Sequence, residues 1–288
     1  MSDKMRTVYV NGEYLPENEA KISVFDRGFL FADAVYEVTS VLEGRLIDFA
    51  SHMARLTRSL AELEMASPGS EDQLLEVHRK LVSENEVEEG MVYMQVTRGE
   101  ADRDFLFPGE DVRPNLVLFT QKKALIDSPS AENGQTIVTQ EDMRWGRCDI
   151  KTTQLLYASM MKTLAKKKGA DDVWLVADGE ITEGSSNNAY IVTPDGTIVT
   201  RDLSHDILAG ITRSAVLECA RELQMKVEER PFTPDEAKAA KEAFSTSASN
   251  FVMPAVEIDG ATIGDGKPGP VARRLREIYI EKSRAAAI

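Results

Sequence analysis

The chain is short of the residues that staple small or extracellular folds. Among 288 residues there are two cysteines, Cys148 and Cys219, far apart and without Cys-x-x-Cys spacing. That argues against a disulfide framework or a structural zinc site and fits a reducing cytoplasm. The three histidines, His52, His78 and His205, are scattered, so no multi-histidine metal site is expected. No apolar run approaches the roughly 18 residues of a membrane span, and the opening MSDKMRTVYVNGEYLP has no apolar signal core. Positive charge is short too. Lys and Arg number 34 against 48 Asp and Glu, for a net charge of −14 and an isoelectric point near 4.8. Such a field repels polyanions, which disfavours nucleic acid as a partner, whereas a small anion needs only one local pocket.

What remains is an ordinary globular composition, 42% hydrophobic and 28% charged, at a length for one large domain or two ordinary ones. RTVYVNGEYL reads as two strands about an Asn11-Gly12 hairpin turn, and DAVYEVTSVLEGRLID repeats the pattern at Glu43-Gly44. Met53, Leu56, Leu60 and Leu63 recur at helical spacing, EDQLLEVHRKLVSE reads as a second helix, and GMVYMQVTRG and PNLVLFTQ read as strands. The polar stretch KKALIDSPSAENGQ, residues 122–135, is the expected interdomain connection between a small N-terminal α/β domain (1–121) and a larger domain (136–288). Beyond it come TIVTQ, a helix ending near Lys168-Gly169, and strands in DDVWLVADGEITEG and NAYIVTPDGTIVT with Asp-Gly turns. A helix over TRSAVLECARELQ puts Ala215, Val216, Cys219 and Leu223 on one face. A further helix is expected over TPDEAKAAKEAF, strands around FVMPAVEIDGATI, and a last helix over PGPVARRLREIYIEKSRA. Helices and strands mix without strict alternation, which predicts an α/β fold of mixed, α+β-like character rather than one doubly wound sheet.

Several stretches could carry chemistry, and each has a plain reading beside it. In GRCDIKTTQLL, Lys151 follows apolar Ile150 before a helical run. A cation at a helix start is misplaced for the helix dipole, whereas a partly buried amine can act as a nucleophile and form a Schiff base. In EITEGSSNNAYIV, Glu183 ends a strand before Gly184, two serines and two asparagines. A turn explains that composition; the alternative is a fixed carboxylate facing a ring nitrogen. In ILAGITRSAV, Gly210, Ile211 and Thr212 open a helix whose free N–H groups suit an anion, unless Thr212 or a neighbour is a simple N-cap. STSASN, holding Ser247, Ala248 and Ser249, is a loop with hydroxyls that could also face a phosphate. Neither has Walker or dinucleotide spacing, which disfavours ATP and NAD. Alternation in DAVYEVTS puts Tyr36 and Val38 on one face of a strand beside Glu37. Arg55 follows His52 on a helix, and TRGEADRDFLFP carries Arg98 and Arg103 in a loop where a guanidinium could clamp a carboxylate.

The order FDRGFLFADAVYE, HMARL, VTRG…RDF…FP, CDIKTTQLL, TEGSSNN, ILAGITR and STSASN…PAVEIDG resembles the fold-type IV pyridoxal-phosphate enzymes, nearest to the bacterial D-amino acid aminotransferases (D-alanine transaminases). The resemblance runs from about Val8 to the last helix. It implies that Lys151 is the Schiff-base lysine, which later shuttles the α-proton, and that Glu183 pairs with the pyridine nitrogen. It assigns Arg55, Ile211, Thr212, Ser247, Ala248 and Ser249 to the cofactor phosphate, Leu208 to one ring face, and Ser186 to the substrate and ring. Tyr36 is implied near the lysine and the substrate carboxylate, with Val38 beside it. It further implies a two-domain fold with the cofactor between the domains, a homodimer whose substrate loop is shared across the interface, and ping-pong transfer from a D-amino acid such as D-alanine or D-glutamate to a 2-oxo acid.

The sequence departs from these relatives in the loop. They typically carry Arg-x-His, but here Arg103 is followed at the second position by Phe105, and Ser40 stands where they often carry lysine. Arg98 is then a candidate to complete the carboxylate trap. The departures keep open (R)-amine and branched-chain amino acid transamination and, from another class, a lyase of the aminodeoxychorismate type.

Overall fold

A computed structural model describes residues 5–288. It divides into two compact units. One takes in the chain up to Ala124, Ile150–Gln154 and Arg284–Ile288; the other comprises Leu125–Asp149 and Leu155–Ser283.

The first unit contains β1 (Thr7–Val10), β2 (Glu13–Pro16), α1 (Arg27–Phe31), β3 (Ala34–Leu42), β4 (Arg45–Leu46), α2 (Phe49–Glu62), α3 (Glu71–Glu84), β5 (Glu89–Thr97) and β6 (Asn115–Lys122). Its strands form one antiparallel sheet in the order β2-β1-β6-β5-β3-β4. The first hairpin turns where Asn11 and Gly12 both take positive φ, 48° and 104°, the mirror-image turn that matches strand twist. Alternation then sorts the faces. Val35 and Val41 of β3 and Val92, Met94 and Val96 of β5 pack with Phe49, Met53, Leu56 and Leu60 of α2 and Leu74, Val77 and Leu81 of α3. On the other face Tyr36 and Val38 are half-buried, and Tyr36 stacks on Tyr93, which stacks on Phe119 (centroids 5.5 and 4.8 Å).

The second unit contains α4 (Pro129–Asn133), β7 (Gln135–Glu141), α5 (Leu156–Lys167), β8 (Asp172–Ala177), β9 (Glu180–Gly184), β10 (Asn188–Val192), β11 (Ile198–Thr200), α6 (Ile211–Glu222), β12 (Val227–Glu229), α7 (Pro234–Lys238), β13 (Glu242–Ser247), β14 (Phe251–Ile258) and β15 (Ala261–Thr262). The last helix, α8 (Pro270–Ala286), begins here. The sheet order is β12-β11-β10-β13-β14-β7-β8-β9, with β15 beside β14. It is mixed, parallel at β11/β12, β14/β7 and β7/β8. Strand β10 is buried throughout and β8 is buried over its first four residues, and both read as near-continuous apolar text, as in sheets covered on both faces. Val173 and Leu175 of β8 face Met161 and Ala165 of α5, while Trp174 between them joins the cluster of Phe232 and Ala237.

One element differs from expectation. The helix expected over TPDEAKAAKEAF is the five-residue α7, and Glu242 onward is strand β13. Alanine-rich text favours helix locally, but Ala243 and Phe244 lie in the middle of the sheet, so tertiary packing overrides propensity. The short α1 has no apolar periodicity to announce it. Its cap is Asp26, which accepts from Phe29 N and, by long-range contacts, from Thr97 Oγ1 and Asn115 Nδ2.

Beneath the first sheet, His78 of α3 is fully buried, with Nδ1 on the Leu74 carbonyl at 2.7 Å, the Phe49 ring edge-on at 5.2 Å, and Nε2 unpaired among the described residues. Burial pushes its pKa down to about 4. The unfolded chain protonates His78 near pH 6.5, the folded one only near 4, so stability is full above about pH 6.5 and falls as pH drops toward 4. Urea unfolding should therefore show a loss of about 2 kcal/mol between pH 7.5 and 5.0 from this residue. The substitution His78→Leu should remove a decline of that size, and an equally steep decline in the variant would refute the assignment.

Candidate active site

The first unit holds one group of the expected residues. Ile150–Gln154 belongs to it because Thr152 bridges Val35 and the Lys151 carbonyl accepts from Tyr36 N at 3.0 Å. This lays the half-buried Lys151 along β3, five residues before α5 begins. Its Nζ sits 4.1 Å from the centre of the Tyr36 ring, and no carboxylate among the described residues lies within ion-pair distance of it. Ile150 beside it is buried in the core under α2 and α3. Lys151 and Tyr36 are thus brought together, with Val38 two residues along the same face.

Arg55 is buried on α2, and its fork is engaged. Nε and Nη2 each donate to Glu37 at 2.8 Å, and His52 Nδ1 is 2.7 Å from the same carboxylate. Glu37 leaves β3 on the face opposite Tyr36. Burial alone would raise its carboxyl pKa, but Arg55 and His52 bring it down to about 2. The motifs in the sequence single out Arg55 without this partner. A signal for it exists: Glu37 shares the face of Val35, Thr39 and Val41, where a carboxylate needs a cation.

The loop residues divide. Arg103 and Phe105 are exposed, Phe105 at 79%, with Phe31 5.7 Å from the Phe105 ring and 5.4 Å from the Arg103 guanidinium. Arg98 is committed elsewhere. It donates to Asp33 at 2.8 Å and to the carbonyls of Leu63 and Glu64 at 2.8 and 3.2 Å, with Phe107 3.7 Å over its face. Buried Arg27 shares Asp33 and donates to the carbonyls of Asp104 and Leu106, so two arginines about one carboxylate tether the loop.

The second unit gathers the other group at one end of its sheet. Asn188 pairs with Thr246, which sets the Gly184–Asn188 turn beside the Ser247–Ser249 turn. Glu183 is buried. Its carboxylate accepts from Arg144 Nη1 at 2.6 Å, Asn188 Nδ2 at 2.9 Å and Leu208 N at 3.1 Å. Burial pushes its pKa up, and the Arg144 charge and hydrogen bond pull it back only in part. Asp172 accepts from Ser185 Oγ at 2.7 Å and Asn187 Nδ2 at 2.9 Å, fixing the turn that leaves Ser186 exposed. Gly210, not Thr212, is the N-cap of α6, and no side chain among the described residues caps the helix. The first N–H groups, from Ile211 and Thr212, are left to an outside acceptor. Glycine at 210 leaves room for the Asn188 amide, because a Cβ there would stand 2.1 Å from Asn188 Oδ1. Arg144, Asp142 and Asp172 carry no local motif, because the Glu183, Thr182, Ser185 and Asn187 that they meet are distant in sequence.

Residues 34–258 match the family described as amino-transferase class IV. Over 275 residues the chain is 40% identical to the D-alanine aminotransferase of Staphylococcus aureus (strain N315), covering 95% of this chain and 96% of that one. It is 39% identical over 271 residues to that of Bacillus licheniformis, covering 93% and 94%. Among solved structures, a T.th. branched-chain amino acid aminotransferase with pyridoxamine 5′-phosphate superposes with a TM-score of 0.89 at 26% identity, over 98% of this chain and 95% of that one. The Escherichia coli branched-chain enzyme gives 0.90 at 21%, over 97% and 95%, a likeness of fold. Each unit carries groups that suit pyridoxal phosphate: the first an amine without a counter-charge for the aldehyde, the second a buried carboxylate for the pyridine nitrogen and uncapped helix N–H groups for the phosphate. The chain belongs to the class IV aminotransferases and works with pyridoxal 5′-phosphate.

Proposed function

We propose that the protein is a D-amino acid transaminase, moving the amino group of D-alanine- or D-glutamate-like donors to a 2-oxo acid by a ping-pong course. The observation that carries this is the pairing of Lys151 with Tyr36 in a chain 40% identical, end to end, to a D-alanine aminotransferase. Pyridoxal phosphate, when bound, supplies the aldehyde that takes up the amine and a ring that draws electrons from the substrate Cα.

The chain's residues then have these roles. Lys151 Nζ would hold the cofactor covalently and, when free, would serve as the base that moves the substrate Cα proton. Glu183 would keep the ring nitrogen protonated, and Leu208 would cover one face of the ring. Ile211, Thr212, Ser247, Ala248 and Ser249 receive the phosphate, and Arg55, oriented by Glu37, supplies positive charge to it. Tyr36, Val38 and Ser186 border the substrate. Arg103 meets the carboxylate, with Phe105 replacing the relatives' histidine by an apolar wall. Arg98 serves as an anchor for this loop rather than as a ligand of the substrate carboxylate, since Nε, Nη1 and Nη2 each already donate to a protein acceptor. A homodimer sharing the loop is part of the proposal, supported by the exposed Phe29, Phe105, Leu106 and Phe107. So is a cytoplasmic location, supported by two free cysteines. The limits 1–121 and 136–288, joined by 122–135, are proposed for the two domains, with Ile150–Gln154 and Arg284–Ile288 returning to the first.

Two experiments test the reading. Borohydride treatment of the purified holoenzyme should leave the reduced cofactor on Lys151, and Lys151→Ala should lower turnover at least about a thousandfold. An unmodified Lys151 sinks the proposal. In a panel of D- and L-amino acids and (R)-amines, with 2-oxoglutarate and pyruvate as acceptors, D-alanine should be preferred. Arg103→Ala should lower kcat/KM for it by roughly 10–100-fold, chiefly through KM, as expected for loss of one charge-assisted pair. It should leave amines without a carboxylate unaffected. Preference for (R)-amines, for which Phe105 and Ser40 speak, would replace the substrate assignment, and pyruvate formed without an acceptor would select the lyase.

A further inference from the structure

We infer that Asp142 and Arg144 form the positioning element for Glu183, turning its carboxylate toward the pyridine nitrogen and leaving one unmatched negative charge to meet the ring cation; this rests on the cofactor roles proposed above for Lys151 and Glu183. Neither Asp142 nor Arg144 has a part in that scheme, and the geometry supplies one. Arg144 uses opposite sides of its fork. Nε and Nη2 donate to Asp142 Oδ1 and Oδ2 at 2.9 and 2.7 Å, and Nη1 donates to Glu183 Oε1 at 2.6 Å.

The arginine is held by protein groups alone. Its own backbone N–H donates to Asp142 Oδ1 at 3.1 Å, Nη2 also reaches the Asp206 carbonyl at 3.2 Å, and Thr182 Oγ1 donates to Asp142 Oδ2 at 2.8 Å. Thr182 precedes Glu183 in β9, so Asp142 binds both the guanidinium and the strand that carries the target. Arg144 and Glu183 are nearly buried, with side chains 14% and 6% exposed, so water screens the contact little. The charges decide the rest. Two carboxylates and one guanidinium leave a single negative charge, which a protonated pyridine nitrogen would neutralise. Without Arg144, two buried carboxylates would stand together and the Glu183 site would take up a proton of its own, which a ring nitrogen needs. Burial raises the Asp142 pKa and Arg144 more than reverses that, whereas Glu183 stays raised, so Glu183 is the member left responsive to a new cation. A planar fork can serve both acids at once; a lysine ammonium supplies the charge without the orientation.

The test compares binding of two compounds to the full chain freed of cofactor: pyridoxal 5′-phosphate, and its analogue with carbon in place of the ring nitrogen. Arg144→Gln should weaken binding of pyridoxal phosphate about tenfold and leave the analogue within about twofold. Arg144→Lys should fall between Gln and the native protein. Asp142→Asn, which keeps the guanidinium, should weaken pyridoxal phosphate alone by a smaller factor. In a Glu183→Gln background Arg144→Gln should add nothing further. Equal weakening of both compounds by Arg144→Gln and Asp142→Asn, or no weakening of either, overturns the inference, because a merely structural arginine cannot tell the ring atoms apart. Native protein that binds neither compound, with Lys151 unmodified by borohydride, instead overturns the cofactor reading beneath it.

Discussion

A carboxylate removed from water must meet a fixed cation, or a set of N–H and O–H donors as Asp26 does, or give up its charge, and this constraint shapes both units. Glu37 meets Arg55 and His52, Asp33 meets Arg27 and Arg98, and Glu183 meets Arg144. Such pairs add little net stability, since desolvation cancels most of the attraction, yet breaking one strands a charge at about 3–5 kcal/mol. Their value lies in the single geometry each permits. In every case the cation is arginine, whose fork reaches two or more acceptors, so each pair fixes an element as well as a charge: α2 against β3, the Asp104–Leu106 loop against Asp33, and β9 against the segment after β7.

What could be read from the sequence was what is decided locally. The Asn11-Gly12 and Asp178-Gly179 turns lie where their dipeptides require positive φ, and α2 and α3 follow their apolar spacing. Alternation alone placed Tyr36 and Val38 together. The family order of motifs then linked Lys151, Glu183 and Gly210, which no local signal joins. What stayed hidden was set at long range. Nothing in CDIKTT announces that Thr152 will bridge Val35 and draw Lys151 into the first unit. DMRWGRCD reads as loop, and only the fold brings Arg144 to a glutamate 39 positions away. KEAF carries helical text into the middle of a sheet because its small and aromatic side chains fit between β10 and β14.

The net charge of −14 poses a problem for a ligand that carries a phosphate. Long-range attraction is absent, so recognition has to be short-ranged and desolvated. A helix N-terminus suits that demand, because its partial charge acts within one turn and brings no counter-ion of its own. The missing side-chain cap on α6 fits the same logic: a serine or aspartate at Gly210 would occupy the N–H groups and, as an acid, repel the anion.

Those two ends of the proposed cofactor, ring nitrogen and phosphate, lie a fixed distance apart in the molecule, so the protein must hold Glu183 and the start of α6 in register. Asn188 does this with one side chain. Its Nδ2 donates both to Glu183 Oε2 and to the Leu208 carbonyl, each at 2.9 Å, while its Oδ1 occupies the space that a Cβ on Gly210 would need. The Leu208 N–H closes the circuit onto the same Glu183 oxygen at 3.1 Å. An aspartate at 188 would lose the donor and add a third buried negative charge beside Glu183 and Asp142, and a side chain at 210 would displace the Asn188 amide from between the helix start and the carboxylate. The spacing is therefore set by an amide, a glycine and a backbone N–H, all uncharged, which leaves the charge around Glu183 to be set by Arg144 and Asp142.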